Sequence, residues 1–300
     1  MQFVKRFGYF ILTNILVMVT LSIVYSILSS FLGLSRYDQY LPSLMLFCLV
    51  WGMGGAFISL LMSKFAAKHF YGVQVIDAKT APPDLRNLVD KVHELARRAQ
   101  LPAMPEVGIY ESYDVNAFAT GPSKRNALVA VSTGLLQRMN DKEVEGVLGH
   151  EITHISNGDM VTMTLIQGIV NAFAMFFSRL LASVIASNVE ERYRSLVRFL
   201  CTIVGDIAFT LLGSFVVNYF SRQREFRADA GSAKISSREN MIAALQRLQS
   251  IQGAPVADNG SMDTLKISAP NEQQGLLMKL RLTHPPLEER IRALERGRVG

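Results

Sequence analysis

The sequence predicts an α-helical membrane bundle of about four hydrophobic helices, with an α+β domain inserted between two helical pairs. Three observations predict it. The 300-residue chain is 49% hydrophobic and only 19% charged. Two long uncharged runs stand near its start, and two further apolar runs follow its middle. Between the pairs the sequence turns polar, with helical and alternating periodicities in succession. A length of 300 residues accommodates one such domain plus several spans.

Residues 1–63 are expected to form an N-terminal transmembrane hairpin. Phe7 to Ser35 and Gln39 to Ser63 contain no charged residue. Each run exceeds the roughly 20 residues that a helix needs to cross a bilayer. The first is too long for a signal-peptide core and lacks a clear small-residue cleavage site. Lys5 and Arg6 precede it, Lys64 and Lys68 follow the second run, and the loop between has Arg36 balanced by Asp38. The positive-inside rule therefore puts the N-terminus and the following domain in the cytoplasm. The net charge of +6 has a membrane explanation in headgroups and topology. No basic, aromatic-interleaved run calls for nucleic acid as a partner. Cys48 and Cys201 lie in apolar segments without metal-ligand spacing and read as buried core residues.

Residues 64–159 form the first part of the inserted domain. Leu85, Leu88, Val89, Val92, Leu95 and Ala96 give Pro83–Gln100 one apolar helical face. His93 falls on the polar side, and His69 borders the second span. Glu106–Tyr110 and Ala127–Ser132 read as strands. Between them Asn116 to Thr120 reads as an edge strand ended by Gly121-Pro122-Ser123, able to pair with an extended substrate backbone. Asn116, with Ala117 and Phe118 beside it, is thus a candidate substrate-binding segment, a turn-capping Asn116 being the alternative.

His150-Glu151-Ile152-Thr153-His154 carries the chemistry. Residues four apart share a helix face, so both imidazoles can hold one metal ion while Glu151 reaches the water beside it. This is the HExxH pattern of zinc peptidases. Asn140 with Glu143 forms a capping-box pair, apolar residues follow at helical spacing, and Asn157-Gly158 reads as the stop. A core helix without a cation would bury a carboxylate between two imidazoles at a high cost.

Residues 160–220 are expected to form a second hydrophobic hairpin, Met160–Ala186 and Val197–Phe220. Asn171, Arg179, Arg198 and Asp206 interrupt it. Symmetric counting sets Asn171 level with Asp206 and Arg179 level with Arg198, the arginines near the far end where they can snorkel. The polar residues then face the bundle interior, with a wet crevice as the alternative.

Residues 221–300 close the chain. A peptidase zinc needs a third protein ligand. Glu225 and Asp229, four apart in Ser221–Ala230, can both face one site, one binding metal and the other orienting a histidine. Arg222, Arg224 and Arg227 would reduce repulsion there. Gln252 to Gly275 reads as a long loop or lid. Leu276–Leu282 and Pro286–Gly297 read as short helices, and His284, held extended before two prolines, can meet the oxyanion or buttress the zinc helix.

Together HEITH, EFRAD, Thr283-His284-Pro285-Pro286-Leu287-Glu288-Glu289-Arg290 and Asn116-Ala117-Phe118-Ala119-Thr120-Gly121 resemble the HtpX family of membrane zinc metallopeptidases. These are relatives of the type I CAAX prenyl proteases. The resemblance covers nearly the whole chain. It implies a zincin-like (gluzincin) catalytic domain binding one Zn2+ per chain through His150, His154 and Glu225. Asp229 would be the partner behind a histidine, and Glu151 the general base for zinc-activated water. It further implies a multi-pass protein of the bacterial inner membrane that degrades misfolded or damaged membrane proteins under heat or envelope stress. Its partners would be unfolded polypeptides, the bilayer and other membrane quality-control proteases. His154 lies seven residues before Val161, and Glu225 five after Phe220. The zinc is therefore expected one or two helical turns from the membrane surface. A CAAX-processing enzyme and a non-enzymatic membrane scaffold with a vestigial metal site are the rivals. Four spans argue against the first, and the intact base and ligands argue against the second.

Overall fold

The structure, a computed structural model, describes Ile23, residues 41–253 and residues 285–297. The span expected over Phe7–Ser35 (Ile23 apart), most of Gln252–Gly275, the helix expected over Leu276–Leu282, and His284 lie outside the described residues. In chain order the elements are α1 (Leu41–His69), β1 (Gln74–Val75), α2 (Pro83–Arg98), β2 (Glu106–Tyr110), β3 (Ala117–Ser123) and β4 (Asn126–Ser132). Then follow α3 (Thr133–Arg138), α4 (Asp141–Asn157), α5 (Asp159–Ser187), α6 (Glu191–Ile235), α7 (Arg238–Gly253) and α8 (Leu287–Glu295). The chain divides into two compact units, Met1–Ser59 with Met163–Val217, and Leu60–Thr162 with Asn218–Gly300.

The described residues of the first unit are helical. Helices α1, α5 and α6 are the three, among the described residues, that are long and apolar enough to cross a membrane. They are apolar on exposed faces as well, through Leu46, Val50 and Trp51 on α1 and Phe199, Val204, Ile207 and Leu212 on α6. Lipid tails suit such a surface and water does not. Inside, Leu41, Met45, Cys48, Leu49 and Met53 pack on Phe176 and Leu180.

Small residues set the close approaches. A Cβ on Gly52 would stand 2.6 Å from the Ala172 backbone, one on Gly205 2.8 Å from Ser178 Oγ, and one on Gly213 2.3 Å from Val170. These contacts correct the symmetric hairpin. Ser178 meets Gly205 rather than residue 199, about six residues further along α6. Arg179 consequently pairs with Asp206, Nη1 to Oδ1 at 3.4 Å, and sits over the Phe47 ring. It does not lie level with Arg198. Asn171 bonds Gln167 on its own helix at 2.8 Å rather than answering Asp206. Cys48 is buried, but Cys201 is only half-buried. Helix α6 runs without interruption from Glu191 to Ile235, past the end of the apolar run at residue 220.

The second unit holds a four-stranded sheet in the order β1-β2-β4-β3, with β2 and β4 parallel and the other pairs antiparallel. Strand β4 is central because Ala127 to Val131 is apolar on both faces, and these five residues and Ser132 are all buried. One face, with Val107, Val129 and Val131, packs on Leu88, Val92 and Leu95 of α2 and on Leu148 and Ile152 of α4. Ala67, Val73, Tyr110, Leu128 and Ala130 fill the other face. Proline at the first turn of α2 pre-sets its start. His93, on the polar side of α2, is half-buried with Nε2 3.1 Å from the Pro105 carbonyl oxygen. Neither β1 nor α3 was expected, both being too short to carry a periodicity. Strand β3 forms the edge, as its sequence suggests, but continues past Gly121 to Ser123 with an irregularity in register. At Gly121, φ is +139° and a Cβ would lie 2.2 Å from the Asn126 carbonyl oxygen, so glycine lets the pairing persist.

Candidate metal centre

Helix α4 begins at a complete capping box. Asn140 Oδ1 accepts from the Lys142 and Glu143 amides, and Glu143 Oε2 accepts from the Asn140 amide. It ends at Gly158, whose φ of +77° is left-handed. The helix face with Gly146 and Gly149 meets the C-terminal part of α6 and the start of α7. A Cβ on Gly149 would stand 2.6 Å from Ser232 Oγ, and Ser232 Oγ donates to the Gly146 carbonyl at 2.7 Å. That close approach brings Glu225 of α6 against the histidines of α4.

The donor atoms converge. His150 Nε2 and His154 Nε2 lie 3.0 Å apart. Glu225 Oε2 is 3.4 Å from the first, and Oε1 is 3.5 Å from the second. One ligand atom from each residue falls within a 4.8 Å group. In a tetrahedral site with bonds of about 2.0–2.1 Å, donor atoms stand roughly 3.3–3.5 Å apart. This triangle is therefore the right size for a small dication, and two imidazoles with a carboxylate are the right chemistry.

Each imidazole turns its other nitrogen to a carboxylate. His150 Nδ1 is 2.9 Å from Asp229 Oδ1, and His154 Nδ1 is 2.7 Å from Asp159 Oδ2. Asp229 is held in turn by Arg290 of α8, which donates from Nε at 2.8 Å and from Nη2 at 2.6 Å. Arg290 Nη1 also stands 3.6 Å from Glu225 Oε2. Glu225, Asp229, Asp159 and Arg290 are all buried. Burial disfavours charge on His154, but bonds to Asp159 and Glu225 outweigh it and hold its pKa up to about 9. Burial likewise opposes charge on His150, and Asp229 and Glu225 raise it nonetheless. Asp229 is kept below its ordinary value against burial by Arg290 and His150.

Glu151 is half-buried beside this cluster, and its Oε2 accepts from the Ala119 amide at 2.8 Å. The edge strand thus turns at least one amide away from β4 and toward Glu151. Ala117 and Ala119 pack toward the core under α4, and Phe118 lies on the opposite face between Tyr71 and Tyr110. The Asn116 backbone is tied to Ser132 at 3.0 and 3.1 Å.

The sequence-predicted residues His150, His154, Glu225, Asp229 and Glu151 come together here, and β3 runs alongside. Two residues were missed. Asp159 follows directly on the expected helix stop, and its signal was an acid opening the next apolar helix. Arg290 closes the Thr283–Arg290 motif, but pairing requires a fold that brings residues 229 and 290 together. Of the arginines expected to relieve the carboxylates, Arg224 reaches Glu225 at 3.6 Å. The guanidinium that bridges Asp229 and Glu225 belongs to Arg290.

Comparison with known families matches residues 83–298 to the description Peptidase family M48. The chain is 50% identical over 298 residues to the Protease HtpX homolog of Bacillus velezensis, a match covering 97% of this chain and 99% of that one. The Protease HtpX homolog of Bacillus subtilis is 48% identical, again with 97% and 99% coverage. Protease HtpX of Aeromonas salmonicida is 48% identical over 297 residues, with the same coverage. The crystal structure of S. mikatae Ste24p shares the fold with a TM-score of 0.59 at 20% identity, covering 94% of this chain and 65% of that one.

Proposed function

The chain belongs to peptidase family M48 and is a membrane metalloprotease, and we propose that it is a zinc endopeptidase that cuts misfolded or damaged membrane proteins at the cytoplasmic face of a bacterial inner membrane. One observation carries this reading. Two imidazole nitrogens and a buried carboxylate converge at metal-ligand separations, with Glu151 between them and a sheet edge.

His150, His154 and Glu225 would hold the cation, with Asp229 behind His150. When bound, zinc lowers the pKa of a coordinated water toward about 7 and polarises the scissile carbonyl. Glu151 takes the proton from the attacking water and returns it to the departing amine. Its carboxylate is aimed for this by the Ala119 amide. The outer edge of β3 lines up an extended substrate backbone, with Ala117 and Phe118 in the recognition strand. Asn116, at the start of that strand, is tied to Ser132 through its backbone and leaves its side chain exposed toward a substrate. Site residues lie on helices that also carry the apolar stretches, Asp159 on α5 and Glu225 on α6. That sharing favours substrates emerging from, or lying against, the bilayer. The basic residues Lys64 and Lys68 after the second uncharged run favour a cytoplasmic site. Prenyl-protein processing has less support, because the full-length relatives are named Protease HtpX and the Ste24p likeness speaks to fold alone.

The test compares two variants in detergent with an unfolded membrane-protein substrate. Glu151→Gln is expected to keep about one zinc per chain and lose proteolysis by roughly 10²–10⁴-fold. His150→Ala is expected to lose both. Full activity in Glu151→Gln would remove Glu151 as the base.

A further inference from the structure

The two histidines of the cluster have unequal support. Behind His150, the charge of Asp229 is shared with the Arg290 guanidinium through two hydrogen bonds of 2.6 and 2.8 Å. Behind His154, Asp159 makes a single short contact, Oδ2 to Nδ1 at 2.7 Å. Among the described residues, His154 is the one basic side chain in ion-pair reach of Asp159. Asp159 is 3% exposed, so water does not dilute its charge.

The backbone explains how a residue outside the HExxH helix reaches into it. Asp159 is five positions after His154, a spacing that an unbroken helix would turn to another face. Gly158 breaks the helix in the left-handed conformation, and the same residue's carbonyl accepts from Val161 and Thr162 as the next helix begins. Asp159 therefore opens α5 directly beneath His154, where an acid also complements the helix N-terminus. From the hairpin between β3 and β4, Lys124 Nζ donates to the Ser156 carbonyl at the end of α4. Its Cε stands 3.1 Å from where a Cβ on Gly158 would be. The corner is thus held from outside as well as by its own conformation.

We infer that Asp159 is the positioning residue of His154, the counterpart of Asp229 behind His150, and that it sets how tightly the site holds its cation. This rests on the metalloprotease reading of the cluster. A carboxylate on Nδ1 keeps the proton there, leaves the Nε2 lone pair facing Glu225 and His150, and makes that lone pair more basic. Because Asp159 has no guanidinium to share its charge, His154 is the more electron-rich ligand of the pair.

The test uses the full chain in detergent, with Asp159→Asn and Asp159→Ala beside wild type. Zinc affinity is measured by chelator competition, and the site is loaded with Co2+ to record its visible ligand-field spectrum. Asp159→Asn retains the shape and an acceptor oxygen but loses the charge, and is expected to weaken zinc binding about 10-fold. Asp159→Ala loses both, and is expected to weaken it up to about 100-fold with an altered Co2+ spectrum. Wild-type affinity and an unchanged spectrum in both variants would overturn the proposal. So would a lowered unfolding temperature of the metal-free protein with unchanged affinity, because that is what a purely structural Asp159 would give. Should wild type itself fail to bind about one zinc, or His150→Ala bind it as well, the underlying metal-site reading falls and this proposal with it. Should only the Asp159 variants behave as wild type, the metal site stands and the positioning role alone is lost.

Discussion

Arg290 is the cation the site keeps when metal is absent. It binds both oxygens of Asp229 and lies 3.6 Å from Glu225, all three side chains being buried. Removing one partner of a buried charge pair costs roughly 3–5 kcal/mol, because the other charge is left without compensation. Arg290→Met should therefore destabilise the chelated protein by about that much, as measured by denaturant unfolding. The loss should be smaller with zinc bound, since a dication beside Glu225 supplies part of the missing positive charge. An equal loss in both states would show that Arg290 acts on packing alone.

At the scale of elements, the last turns of α1 are fastened to the sheet. Lys64 and Lys68 reach the two oxygens of Glu106 at the start of β2, at 3.0 and 2.8 Å. Burial opposes the charge on Glu106, but hydrogen bonds from Lys68 and Lys64 outweigh it and hold the carboxyl below its ordinary pKa. A depressed carboxyl pKa contributes stability that is fully present above the unfolded-state value. That contribution is lost as pH falls through the folded-state value. Glu106 is 40% exposed, so the contribution stays under about 1 kcal/mol. Glu106→Gln should lower the unfolding midpoint slightly at neutral pH, and the gap from wild type should close as the solution is acidified. A gap independent of pH would mean that the variant disturbs packing and not charge.

For the whole molecule, every donor of the candidate metal centre belongs to the unit built from Leu60–Thr162 and Asn218–Gly300. Filling the centre should stabilise the folded chain by about 4 kcal/mol when free zinc stands 1,000-fold above its dissociation constant. A rise in the unfolding midpoint that a chelator reverses is the measurement, and no rise would count against a native zinc site. Much of this arrangement was legible in the sequence. The HExxH helix announced its cap, its stop and its metal face through local spacing, and the apolar runs announced α1, α5 and α6. The partners that long-range packing chooses were not legible. Arg290 finds Asp229 across 61 positions, and Arg179 finds Asp206 because glycines select the hairpin register. His93 likewise hid its carbonyl partner, since helical periodicity reports which face a residue occupies and not what covers that face.

The corner at Gly158 makes the chain intolerant of added length. Only one residue separates the HExxH helix from Asp159, so an extra residue there would rotate the acid off its imidazole even if every side chain were kept. A peptide tag, a flexible spacer or a protease nick at that joint would reach the candidate metal centre at once.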